Sequence, residues 1–205
     1  MRILMFILCL VFASASPARA EEKAVAAFLD AVSTIQALQG RFVQQQFDQA
    51  DESMGESRGA FKLLRPAYFL WDIEAPDSQQ VIAGPDYVWH YDRDLQTATR
   101  RPVNDSSDMA PLQILGGDEA LLRGRFFIEQ TGDGRFLLRP QQPGSGFEQV
   151  VVSLVDGKLA SMEIRDQLQQ RLLVTFSDVS ADVELTPEDF SFSPPGGADT
   201  FYYDE

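Results

Sequence analysis

From Arg41 onward, apolar residues recur at every second position in short runs separated by turn residues. A period of two marks strands that are apolar on one face and wet on the other. The runs fall at 41–47, 59–73 (interrupted at Pro66), 79–83, 87–91, 95–101, 125–130, 135–139, 149–155, 158–165, 171–178 and 190–192. Their connections are tight, as at Gly84-Pro85-Asp86, Gly132-Asp133-Gly134 and Asp156-Gly157, so sequential strands should pair antiparallel. Roughly eleven strands at this spacing predict one strongly curved antiparallel sheet rather than separate hairpins. Such a sheet needs a cover for its apolar face. The spacing of Val25, Phe28, Leu29, Val32, Ile35 and Leu38 predicts a helix over 22–39, ended by Gly40. After a polar loop at 104–108, two short apolar helices are expected at 110–116 and 118–123, the second capped by Asp118. The expectation is a mainly β chain with some α: an unclosed half β-barrel covered by a helical lid, with a cavity beneath.

Residues 1–20 are set apart from this pattern. Arg2 precedes an apolar run to Ala13, and Ala18-Arg19-Ala20 fits a small-x-small cleavage site, so a secretory leader is expected. Its apolar run is too short to span a bilayer. Cleavage would leave 185 residues as a single domain, 21–205, without cysteine because Cys9 lies in the leader. It would also remove Arg2 and Arg19 from the 17 basic residues and nothing from the 31 acidic ones, giving a formal charge of −16. That balance argues against nucleic acid and against lasting adhesion to anionic lipid.

Arg65 stands out within the strands. Phe61, Leu63 and Arg65 share one face, and Pro66 then breaks the strand because it has no N–H to donate. Phe69, Trp71 and Ile73 resume the apolar face while Asp72 and Glu74 take the other. A guanidinium leaning toward Phe and Trp needs acceptors. Either it snorkels to solvent over its apolar neighbours, or it sits at a cavity mouth and grips carbonyls of a movable cover. Chemistry is otherwise scarce. His90 is the one histidine, on the face opposite Trp89 and Tyr91, and it cannot build a metal site alone. Asp72/Glu74 and Asp92/Asp94 are ordinary wet-face pairs, and Ser57, Ser153 and Ser161 have no histidine base in the pattern. The residues point to a binding protein, not an enzyme, with no metal and no cofactor.

The segment Gly59-x-x-x-x-x-Arg65-Pro66-x-x-Phe69-x-Trp71 resembles the signature of the LolA family, the periplasmic outer-membrane lipoprotein carriers. Phe42-Val43-Gln44, Trp89-x-Tyr91 and Phe190-Ser191-Phe192-Ser193-Pro194-Pro195 extend the likeness over nearly the whole mature chain. The turn Gly84-Pro85-Asp86 and the tail after Pro195 depart from the pattern. A leader whose Cys9 follows Ile7-Leu8 lacks a lipid-attachment motif, which disfavours the anchored LolB receptor. The resemblance implies a monomeric periplasmic chaperone that takes acylated lipoproteins from an inner-membrane ABC transporter of the LolCDE type. It would hand them to an outer-membrane receptor of the LolB type. It implies that Arg65 holds the lid by hydrogen bonds to lid backbone and that Phe69 handles cargo at handover. Phe61, Leu63, Trp71, Trp89 and Tyr91 would complete the acyl-chain cavity, with Gly59, Pro66, Pro194 and Pro195 as motif positions. The alternatives on the same half-barrel are a periplasmic sensor or binding module and a carrier of another lipid.

Overall fold

The computed structural model describes residues 17–33, 35–103, 114–116 and 119–203. Helix α1 (Pro17–Ser33) leads into a meander of β1 (Ala37–Phe47), β2 (Ser53–Leu64), β3 (Tyr68–Ala75), β4 (Gln79–Ala83), β5 (Tyr87–Asp92) and β6 (Thr97–Pro102). Ile114 and Leu115 are helical. Helix α2 (Glu119–Arg125) runs straight into β7 (Phe126–Gly132), followed by β8 (Arg135–Pro140), β9 (Phe147–Val155), β10 (Lys158–Asp166) and β11 (Arg171–Ser180). A 3₁₀ turn (Pro187–Phe190) and β12 (Asp199–Tyr202) end the chain.

The strands form one 12-stranded sheet in the order β12-β6-β5-β4-β3-β2-β1-β11-β10-β9-β8-β7. It is an unclosed barrel: β7 and β12 are its two edges. The antiparallel β1–β11 pair joins the two meanders, and only β12 runs parallel to its neighbour β6. Residues directly opposite across a strand pair share a face. The register therefore puts Phe61, Trp71, Val81 and His90 in one row, and Leu63, Phe69, Ala83 and Val88 in the next. That face carries the helices and is called the inner face. Phe28 of α1 is fully buried and meets the Phe136 ring of β8 at 5.2 Å. Ile114, Leu115 and Leu122 belong to the same core cluster, so sheet, α1 and the 114–122 region enclose one apolar interior.

Three expectations need correction. The first helix ends at Ser33 rather than at Gln39, and β1 has already begun by Ala37. Ile35 and Leu38 are buried as expected, but Leu38 lies opposite Leu63 in the β1–β2 ladder, where sheet pairing takes over from the helix. Gly40 is consequently a strand glycine, not a helix cap. A Cβ there would stand 2.9 Å from the Phe61 ring and 3.0 Å from the Ser177 carbonyl oxygen, so only glycine lets β1 pass this close. Residues 190–192 are not a strand. The Thr186 N–H donates to Asp189 Oδ2 at 2.9 Å and closes the 3₁₀ turn instead. The last strand comes later, in the tail, as β12. The polar loop at 104–108, Asp118 and most of the 110–116 helix lie outside the described residues. Among the described residues, no helix is long and apolar enough to cross a membrane.

Candidate functional site: the lidded inner face

The strand that carries the motif is built to approach its neighbour closely. At Gly59 the β2–β3 register slips by one residue, and an added Cβ would lie inside the Asp72 carbonyl oxygen and 3.0 Å from the Phe42 ring. Glycine is required there by space. From this point β2 alternates, with Phe61 and Leu63 buried on the inner face and Lys62 and Leu64 on the outer one. The strand ends at Leu64, and the backbone N–H of Arg65, the first turn residue, donates to the Gln36 carbonyl at 2.9 Å. Pro66 lies in the turn that follows.

The Arg65 side chain is half-buried. Its Nε and Nη2 both donate to the Leu115 carbonyl oxygen, at 3.1 and 2.8 Å. Leu115 is 1% exposed and Ile114 fully buried, so this carbonyl belongs to a segment packed down on the inner face. Of the two readings open at Arg65, free snorkelling gives way to carbonyl gripping. Charge-assisted bonds from a permanently protonated guanidinium are among the stronger polar contacts available to a protein.

Beside this contact the inner face is aromatic. The Trp71 ring stacks on Phe42 at 3.7 Å and lies 5.7 Å from Phe69. Phe61 lies 6.1 Å from Trp71, and both approach Phe176 of β11, at 5.1 and 6.2 Å. Phe61, Leu63, Phe69 and Trp71 thus come together as expected from their spacing. Phe42, noted only as a motif position, and Phe176, not singled out, join them; the signal was their alternation with polar neighbours in strands that the ladder brings together, Phe42 lying opposite Phe176. Among the described residues no polar or charged residue is buried, so this interior offers shape and apolar surface and no reacting groups.

Trp89 and Tyr91 do not belong to this face. Their partners across β4 are Ile82 and Gln80, one register step from the Trp71–Val81–His90 row, which puts both rings on the outer face. There they pack under the chain's C-terminal segment: Trp89 meets Phe192 at 5.2 Å and Tyr202 at 5.8 Å, and Tyr91 meets Phe192 at 5.4 Å. The expectation that they line the same cavity as Trp71 is corrected, because the outer face has an apolar cover of its own. Phe190 adds a contact to Tyr68 at 5.6 Å, and Lys62 Nζ binds Asp189 Oδ1 at 2.9 Å. Pro194 and Pro195 carry the chain from there to β12, with the Ala198 N–H donating to the Pro195 carbonyl at 3.1 Å.

Electrostatics are confined to the exterior. The Thr186 N–H, then Lys62, hold the Asp189 carboxyl below its usual range. Arg41 and Glu74 pair at 2.6 Å, which lowers the Glu74 pKa and raises that of Arg41. His90 is exposed, and no group of three or more His, Cys, Asp or Glu among the described residues is placed to hold a metal ion.

The family described as outer membrane lipoprotein carrier protein LolA matches residues 33–193, which span β1 to the segment after the 3₁₀ turn and stop short of β12. A protein of Methylococcus capsulatus named outer-membrane lipoprotein carrier protein is 34% identical over 203 residues, 97% of this chain and 95% of its own. One of the same name from Alkalilimnicola ehrlichii is 35% identical over 193 residues, covering 94% of this chain and 90% of that one. Among solved structures, an uncharacterized conserved protein from Thermus thermophilus superposes with a TM-score of 0.53 at 14% identity, covering 86% of this chain and 98% of its own. A putative outer membrane lipoprotein-sorting protein domain from Vibrio parahaemolyticus gives 0.50 at 14% identity, over 83% and 97%. At these identities the structural likeness is one of fold.

Proposed function

The chain belongs to the LolA family of outer-membrane lipoprotein carrier proteins, and on that premise we propose that its inner face takes up the acyl chains of lipoproteins beneath a lid latched by Arg65. It is a carrier and not an enzyme. The observation that supports the latch is the pair of bonds from Arg65 to the Leu115 carbonyl, made where the covering segment is buried against the sheet.

The energetics favour such a device. Burying one CH₂ is worth about 0.8 kcal/mol, so a long acyl chain exposed to water costs on the order of 10 kcal/mol. A carrier must offset that cost and still let go. Closing the empty interior buries its apolar lining against the lid, and the Arg65 bonds add to the closed state. Opening for cargo then subtracts from net affinity and keeps release accessible. Phe61, Leu63, Phe69 and Trp71, with Phe42 and Phe176, form the wall that acyl chains would meet when the lid lifts. Gly59 serves by letting β2 and β3 approach, and Pro66 by ending the strand so that the guanidinium turns to the lid. Trp89, Tyr91, Pro194 and Pro195 act on the outer face, where they fasten the C-terminal segment.

The working compartment is the periplasm, reached by a leader cleaved after Ala20 to leave the single domain 21–205. An inner-membrane transporter of the LolCDE type would load the carrier and a LolB-type receptor would unload it. The test is release from spheroplasts containing radiolabelled outer-membrane lipoprotein, with and without the purified mature protein. A soluble one-to-one complex is expected. If no lipoprotein is released by a folded protein that binds an apolar dye, lipoprotein carriage is excluded and the interior serves another lipid.

A further inference from the structure

The inner face changes character along β1. Gln44 and Gln46 follow Phe42 at two-residue steps, on the same face, and lie opposite Ser57 and Gly55 of β2. On β3 and β4, Ile73 lies opposite Gln79 in the row next to Trp71 and Val81. These residues line a groove of about 280 Å³ at the end of the sheet formed by the β1–β2 and β3–β4 turns. Arg65 occupies the turn at the other end. The floor that begins as stacked Phe42 and Trp71 thus continues into amides within about 7 Å, one two-residue strand step.

Two properties of the groove identify its occupant. First, its amides are available. No intramolecular hydrogen bond engages the side chains of Gln44 or Gln46 among the described residues, while Gln79 Nε2 donates to Asp92 Oδ2 at 3.1 Å and keeps its own oxygen free to accept. A primary amide both donates and accepts, which matches a peptide group. Second, the lining includes Asp77 and, among the described residues, no lysine or arginine, while the Glu56 carboxylate accepts from Gln45 Nε2 at 3.1 Å on the other face. An anionic phosphate headgroup would meet acid and no cation there; an uncharged peptide backbone meets no penalty.

We infer that this groove receives the first peptide groups following the acylated residue of the cargo, bound through the amides of Gln44, Gln46 and Gln79. The inference rests on the carrier reading and adds to it the means of distinguishing an acylated polypeptide from a phospholipid with the same acyl chains.

The test titrates the mature protein with a diacylated cysteinyl tetrapeptide, with phosphatidylglycerol of matched acyl length, and with an apolar dye. The wild type is expected to prefer the lipopeptide. The double variant Gln44→Ala/Gln46→Ala should bind lipopeptide about tenfold more weakly, as expected for one or two lost hydrogen bonds, with dye binding unchanged. A lipopeptide N-methylated at its second to fourth residues should lose the same factor against the wild-type protein, a measurement independent of any effect of mutation on folding. If the variant and the methylated ligand both bind like their parents, or if phosphatidylglycerol binds as well as the lipopeptide, the groove is not a peptide site although acyl carriage stands. If the wild type binds neither lipopeptide nor dye, the carrier reading fails and the inference with it.

Discussion

Replacing Arg65 with leucine removes both donors to the Leu115 carbonyl while keeping an aliphatic side chain at that position. A hydrogen bond from a charged donor contributes about 1.5–3 kcal/mol where it is shielded. Arg65 is half-buried, and solvent screening reduces the contribution to about 1–2 kcal/mol. At about 1.4 kcal/mol per tenfold, the closed lid should lose a factor of roughly 5–30 against the open one. On the latch proposal cargo binds only the open form, so apparent affinity should tighten by the same factor for as long as the closed form dominates the free protein. Lipopeptide titration of wild type and Arg65→Leu measures this directly, and transfer of bound lipopeptide to acceptor vesicles bearing the proposed LolB-type receptor measures the consequence. The variant should load more tightly and hand over more slowly. Arg65→Lys, with a point charge in place of a planar fork, should fall between the two. If the variant is folded by circular dichroism, binds with wild-type affinity and delivers at the wild-type rate, Arg65 has no part in lid control.

Other perturbations test the frame around the site. Gly59→Ala forces a Cβ into the Asp72 carbonyl and should cost about 1–3 kcal/mol or more in urea unfolding. Gly84→Ala, where no atom lies within 4 Å of the added carbon, should stay within about 0.5 kcal/mol of wild type. Phe28→Ala removes a fully buried ring that touches Phe136; denaturation should register a loss of about 3–5 kcal/mol. The Asp189 carboxyl is held low by the Thr186 N–H and Lys62. Its contribution is therefore complete above the ordinary carboxylate pKa and disappears as pH falls through the depressed folded-state value. Trp89 emission, which reports on Phe192 and Tyr202 above it, should stay constant at neutral pH and change only in acid. Asp189→Asn should abolish that acid limb, and an unaltered acid transition in this variant would assign it to another group.

The hairpins were legible because each carries its instruction locally: Gly84-Pro85-Asp86 and Asp156-Gly157 between alternating runs leave the chain few options. Arg65 was legible as a cation on an apolar face in need of an acceptor. Its partner, fifty residues away, was not, since nothing in a helix sequence marks which carbonyl will be gripped. Trp89 and Tyr91 show the limit of face reading. Alternation tells which residues share a side of a strand but not which side faces the lid, and here both sides are covered. The cover on the outer face comes from Phe190 in the 3₁₀ turn, Phe192 after it, and Tyr202, which alone of the three is placed by the parallel pairing of β12 to β6. Leu38 belonged equally to a helical and an alternating pattern, and pairing with Leu63 decided for the strand.

That Arg65 holds a main-chain oxygen has an evolutionary consequence. The side chain at position 115 can be exchanged without altering the group that the guanidinium recognises, provided that the backbone stays where it is. Selection acting on the lid's side chains, for instance to suit different acyl lengths, is thereby separated from selection acting on how firmly the lid is held. One residue can remain constant while the surface it secures diversifies.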